Sequence, residues 1–296
     1  LSFSDDQQML VDMLEGFALE VLRPLAHDAD AEASLPAELL NQALELGLTH
    51  YGVGEVHGGM AGERTTVTTA LIAEALAKGD LTLAAALLVP LSAANCIRRW
   101  GSSSQQAQWL PAFVSEEGAP LTAIAVNEPS LLFDPQKLAT RARRKGSHYL
   151  LSGEKCLVLR GLEASRLIVA AKTDPANKHA MGLFLVERGM QGFERGRNLK
   201  KLGMKSQDTA ELFFNNVRVP KENLLGDAKG GFFYLMNMLA QERLTNACGA
   251  VAGAEAALQA TIDYVKERQA FGRPVAHFQN TRFKLAEMRT QIDVAQ

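Results

Sequence analysis

Cysteine is scarce here: three residues in 296, Cys96, Cys156 and Cys248, an odd number set far apart. They match no zinc or redox spacing, so the expected reading is a reduced, intracellular set of thiols. Charge of neither sign is in excess, with a formal net of -2. A general attraction to nucleic acid or to acidic membranes is therefore not expected. No apolar run reaches the roughly 20 residues that a membrane span needs. The longest, from Leu81 to Ile97, contains Pro90, Ser92 and Asn95, and reads as a buried helix kinked at Pro90. Asp5 and Asp6 stand near the start, with no basic segment leading into an apolar one. No secretory signal is expected, and the cytoplasm is the expected compartment. The six histidines show neither i,i+4 pairing nor metal-ligand spacing, so no metal site is expected. No G-x-S-x-G or cysteine–histidine signature is present, which argues against acyl transfer by a nucleophile. Gly52, Gly54, Gly58 and Gly59 miss the G-x-G-x-x-G spacing and follow a helix, so they read as a turn between helices.

What is present is apolar material, 47% of the residues, enough for a large core in a chain that allows two or three packed units. The first 120 residues read as helical. Ser4 and Gln7 form a capping box, and Met9, Leu10, Met13, Leu14, Phe17, Val21 and Leu22 recur at helical spacing until Pro24, which should end the run. A second helix starts near Ser34, with Pro36 in its first turn, and stops at Gly47. A third runs from about Thr65 to Lys78, a fourth from Asp80 to near Gly101, and a fifth through Trp109, Leu110 and Phe113 to Gly118.

From residue 121 the period changes. A short β-prone stretch at 122–127, an alternation of small and charged residues at 139–144, and short apolar runs at 149–151, 157–159, 167–171, 182–186 and 211–214, separated by turn signals, predict an antiparallel β-domain. After Gly230-Gly231 the helical period returns along Phe232, Leu235, Leu239, Ala250, Ala254 and Leu258. Gly272 and Pro274 break it, and a last helix runs from about Gln279. That helix lacks a cap and a basic last turn, so the expectation is a chain cut short. The fold class is α+β: an N-terminal helical domain (1–120), a middle β-domain (121–229) and an incomplete C-terminal helical bundle (230–296).

Two places suggest chemistry. Glu242 lies three residues after Leu239 and seven after Leu235, so it projects toward the apolar stripe. A half-buried carboxylate there would be a better base near neutrality; a structural pair with a neighbour such as Arg243 is the alternative. Arg268, Arg273 and Gln279 gather around Phe271-Gly272, a set suited to phosphate oxygens, or simply a solvated helix end.

These residues, together with several motifs in order, resemble the acyl-CoA dehydrogenase family. The β-domain motifs are Asn127-Glu128-Pro129, then Tyr149 to Lys155, Leu202-Gly203-Met204-Lys205-Ser206, and Val217 to Gly226. Gln241-Glu242-Arg243-Leu244, Arg268 to Gly272 and Phe278-Gln279 resemble the start of the family's C-terminal domain. The resemblance covers essentially the whole chain. It implies FAD, an acyl-CoA substrate, a C-terminal bundle that drives a homotetramer (or a dimer), and an electron-transfer flavoprotein or similar acceptor. It implies α-proton abstraction by a glutamate and hydride transfer to the flavin. By position, Val126 and Asn127 match flavin-ring contacts. Arg268, Phe271 and Gln279 match residues that reach FAD, largely from a neighbouring subunit. Arg243 matches an arginine beside the acyl-CoA site, and Glu242 the base of the long-chain and isovaleryl branches; most other branches place the base in a later helix.

The sequence departs from the family at the flavin. Phe133 stands where the family has a serine that touches flavin and substrate. Leu157 and Leu159 replace the aromatic and threonine that cover the ring. These changes also admit a degenerate, non-catalytic member that acts as a structural or acyl-CoA-binding subunit, and more weakly a flavin oxidase or monooxygenase.

Overall fold

The computed structural model describes residues 3–36, 38–60, 65–116, 118–177 and 179–296. Eight α-helices lie among the described residues: α1 (Asp5–Phe17), α2 (Arg23–Glu32), α3 (Leu39–Glu45), α4 (Thr66–Ala77), α5 (Leu81–Trp100), α6 (Ser103–Trp109), α7 (Gly231–Glu267) and α8 (Gln279–Ala295). The strands are β1 (Thr122–Ala125), β2 (Arg141–Lys145), β3 (His148–Leu159), β4 (Arg166–Lys172), β5 (Met181–Glu187), β6 (Phe193–Asn198), β7 (Thr209–Pro220), β8 (Leu224–Leu225), β9 (Gln269–Ala270) and β10 (Arg273–Pro274). The chain folds into two compact units. One comprises Leu1–His27, Thr65–Ala85 and Gln241–Gln296; the other comprises Asp28–Arg64 and Ala86–Ala240.

In the first unit the expected capping box opens α1: the Gln7 N–H donates to Ser4 Oγ (3.2 Å) and the Ser4 N–H donates to Gln7 Oε1 (3.1 Å). Contrary to expectation, Pro24 does not end the run. A π-turn at Ala18–Leu22 carries the chain into α2, with the Arg23 N–H reaching back to the Ala18 carbonyl. The wider i→i−5 register shifts the bonding pattern just where proline cannot donate, so its ring and missing N–H are tolerated. Thr65 caps α4 with a second box, closed by Thr68. Lys78, after α4, pairs with Glu15 of α1 at 2.6 Å.

The second unit is built around an eight-stranded sheet in the order β6-β7-β3-β2-β4-β5-β8, with β1 beside β4. Most pairings are antiparallel, as the sequence predicts. Two are not: β1 runs parallel to β4, and β2 meets β4 in parallel at Arg141–Lys172. One face of the sheet packs on Tyr149, Leu151, Phe184, Phe214 and Val217. The other joins Trp109, Phe113, Leu183, Leu185 and Leu235 in a helix–sheet core. Burial of these aliphatic and aromatic side chains is the main stabilising term.

Helix α5 is long and apolar enough to cross a membrane by length and composition, yet Leu83, Leu87, Leu91, Ala94 and Ile97 are buried in the protein, as in a core helix. In the glycine run at 52–59, Gly58 takes a left-handed φ of 86°, as a turn requires, and Gly59 serves close packing. A Cβ on Gly59 would stand 2.1 Å from the Val53 carbonyl oxygen, so two stretches of backbone touch where the sequence reading placed a turn.

Candidate active site

The second unit carries an open cavity of about 440 Å³, lined by Asn127, Glu128, Pro129, Ser130, Leu131, Phe133, Cys156 and Leu157. One wall is the loop that leaves β1; the other is the last third of β3. Chain geometry fixes both. After β1 the chain turns tightly, with the Ser130 N–H donating to the Glu128 carbonyl at 2.7 Å. In β3 the pairing with β7 shifts between Lys155 and Val158, and Leu157 takes a left-handed φ of 52°. Such a bulge turns one residue out of the ladder. Leu157 is accordingly 59% exposed on the cavity.

Beneath the cavity lies a buried ion pair. Lys155, with 0% of its surface exposed, donates from Nζ to Glu128 Oε1 and to the Val126 carbonyl, both at 2.9 Å. Glu128 also accepts from the Ala139 N–H at 2.6 Å and the Thr140 N–H at 3.0 Å. Burial pushes the Glu128 carboxyl up, but the Lys155 charge and these donors outweigh it and hold the group below the ordinary value of 4.5. Burial pushes Lys155 down to about 8, against the pull of Glu128. This is the pattern of a paired, hydrogen-bonded buried charge.

Of the residues singled out from sequence, the cavity gathers Asn127, Phe133 and Leu157. Phe133 is half-buried and packs against the helix–sheet core, so it borders the space without filling it. Val126 contributes its carbonyl to Lys155 rather than a side chain to the lining. Leu159 is half-buried and does not line the cavity.

The remaining candidates lie in the first unit. Glu242 and Arg243 are neighbours on α7, the glutamate half-buried and the arginine exposed. Arg268 and Phe271 sit at the β9–β10 hairpin, and Gln279 opens α8; all three are exposed. Phe271, 96% exposed, meets Phe278 edge-to-face at 6.2 Å, while the Arg273 guanidinium lies 4.5 Å over the Phe278 ring. A second cavity of about 500 Å³ lies between α7 and α8, lined by Ala254, Leu258, Met288 and Ile292 among others. No titratable side chain lines it, so it offers no acid–base chemistry.

Three family models match in sequence order. They are described as the acyl-CoA dehydrogenase N-terminal domain (residues 4–117), middle domain (123–217) and C-terminal domain (229–296). The chain belongs to the acyl-CoA dehydrogenase family. It is 36% identical over 300 residues to the long-chain specific acyl-CoA dehydrogenase of Rattus norvegicus mitochondria, covering 99% of this chain and 68% of that protein. The solved butyryl-CoA dehydrogenase of Megasphaera elsdenii superposes with a TM-score of 0.92 at 32% identity, over 99% of this chain and 77% of the other. A chain solved in work on the electron transferring flavoprotein of Acidaminococcus fermentans superposes with a TM-score of 0.91 at 34% identity, with coverage of 99% and 77%.

Members of the family are FAD flavoproteins. In this family member the cavity residues fit such a group. A flat, largely apolar ring would cover the exposed side chains of Leu131 and Leu157, and the exposed Asn127 amide supplies polar edge contacts. The sequence reading placed Glu128 and Lys155 within motifs but gave no role to either, although the two shape this cavity from below. One signal was available: Lys155 shares the two-residue phase of Tyr149 and Leu151, the inward face of β3.

Proposed function

We propose that this chain catalyses the FAD-dependent α,β-dehydrogenation of an acyl-CoA thioester, with Glu242 as the base. The observation that carries the reading is the half-buried carboxylate on α7 in a chain matched along 99% of its length to a long-chain enzyme. An α-C–H is a weak acid, so the base must be partly dehydrated and fixed on a rigid element. A residue about three turns inside a 37-residue helix meets the second demand. FAD, when bound, supplies the acceptor for the β-hydrogen. In this reading Asn127, Phe133 and Leu157 border the ring and Val126 and Leu159 support that wall. Arg243 lies by the acyl-CoA, and Arg268, Phe271 and Gln279 reach the FAD of a neighbouring subunit. The division at 1–120, 121–229 and 230–296, assembly as a homotetramer or dimer, an electron-transferring flavoprotein as acceptor, and a place in the cytoplasm belong to the same proposal.

The test is turnover of saturated acyl-CoA esters of increasing chain length with an artificial electron acceptor, read by mass spectrometry of the thioester. Formation of a product two hydrogens lighter is expected. FAD-loaded protein that converts no chain length would overturn the enzyme reading. It would favour the non-catalytic reading, for which the observation in hand is Phe133 at the cavity border, where no hydroxyl can face the substrate.

A further inference from the structure

We infer that Glu128 and Lys155 are a positioning pair that sets the wall of the Asn127–Leu157 cavity and thereby the seat of the flavin ring; the inference rests on the reading of that cavity given above. The pair ties together three stretches of chain: 126–128 after β1, 139–140 before β2, and 154–157 in β3. Lys155 Nζ holds the Val126 carbonyl, and the next carbonyl, that of Asn127, accepts from the Cys156 N–H at 3.0 Å. Both carbonyls are thus drawn toward β3, which fixes the direction in which the Asn127 side chain leaves the backbone. Glu128 clamps the chain entering β2 through the Ala139 and Thr140 N–H groups, and Thr140 Oγ1 donates to the Glu154 carbonyl at 3.1 Å.

The β3 bulge occurs at this point. Lys155 is pinned inward, and two residues later Leu157 turns outward on to the cavity. A fold alone has no need of such a pair, because an apolar pair of the same volume is commonly as stable or more so. What the ion pair adds is direction: a rigid, hydrogen-bonded support under residues that must be held at a set distance from a ligand.

The test compares the wild type with the double variant Glu128→Gln/Lys155→Met, which leaves no uncompensated charge and keeps one acceptor oxygen for the backbone N–H groups of Ala139 and Thr140. FAD affinity of the apo-protein is measured by flavin fluorescence, together with the visible spectrum of the bound flavin and the thermal midpoint. The expected result is a near-native midpoint, affinity about tenfold weaker and an altered flavin band. Lys155→Arg, which keeps the charge pair, guards against a double variant that does not fold. Its planar fork cannot serve Val126 and Glu128 as the ammonium does, so the same weakening is expected. Unchanged affinity and spectrum in a folded variant, even with a lowered midpoint, would mean that the pair only holds the fold, and the inference would be overturned. Wild-type protein that takes up no FAD would overturn the proposed function, and this inference with it.

Discussion

Glu242 and Lys155 are both charged residues withdrawn from water, but they make opposite demands. The base must have a usable lone pair; the lysine must hold its proton and its two acceptors, the Val126 carbonyl and Glu128. Glu242→Gln is expected to keep FAD and acyl-CoA binding and to lower the rate of flavin reduction by roughly 10²–10⁴-fold, measured by stopped flow. Turnover at the wild-type rate would move the base elsewhere. Lys155→Met alone strands the Glu128 charge and is expected to destabilise the fold by roughly 3–5 kcal/mol, measured by urea denaturation. The acid limb of stability has a definite sign. Glu128 is held below its ordinary 4.5, so its contribution is present above pH 4.5 and lost as pH falls through the folded value. The melting temperature of wild type should therefore fall more steeply below pH 4.5 than that of Glu128→Gln; equal slopes would contradict the pairing. At this scale the sequence singled out Asn127, Phe133 and Leu157, and one cavity gathers them; the roles of Glu242 and Phe271 belong to the proposal. Lys155 was obscured because its burial depends on Glu128, 27 positions away, folding on to it.

Among the elements, the helices were the most legible: Ser4 and Thr65 mark the starts of α1 and α4 and each closes a capping box, whereas the Ser102 box that opens α6 was not read from the sequence. The strands with apolar runs were legible too. β6 was not, because Phe193–Asn198 carries only one large apolar residue and pairs solely with β7. The parallel pairing of β1 with β4 was equally hidden, since register and direction depend on contacts across 44 residues. The start of α7 offers a direct check of packing. A Cβ on Gly231 would stand 2.5 Å from the Met181 carbonyl oxygen on β5. Gly231→Ala is expected to lower stability by roughly 1–3 kcal/mol, measured by chemical denaturation; a neutral result would mean that α7 starts farther from the sheet.

At the scale of the whole molecule, the two units divide the proposed chemistry. Cavity residues Asn127, Phe133 and Leu157 belong to one; Glu242, Arg243, Arg268, Phe271 and Gln279 belong to the other. The exposed Phe271 suits a residue whose proposed work lies on a neighbouring subunit. Phe271→Ala is expected to change stability by no more than about 0.5 kcal/mol and to weaken FAD binding. A variant that binds FAD as wild type does would remove Phe271 from the site. Static light scattering should give two or four times the mass of one chain. The central claim is that this chain brings a flavin and an acyl-CoA thioester together for redox chemistry. Its most direct test is anaerobic mixing of the FAD-loaded protein with a series of saturated acyl-CoA esters while the visible flavin absorbance is followed. Bleaching with at least one chain length is expected; a flavin band unchanged by every ester would contradict the account.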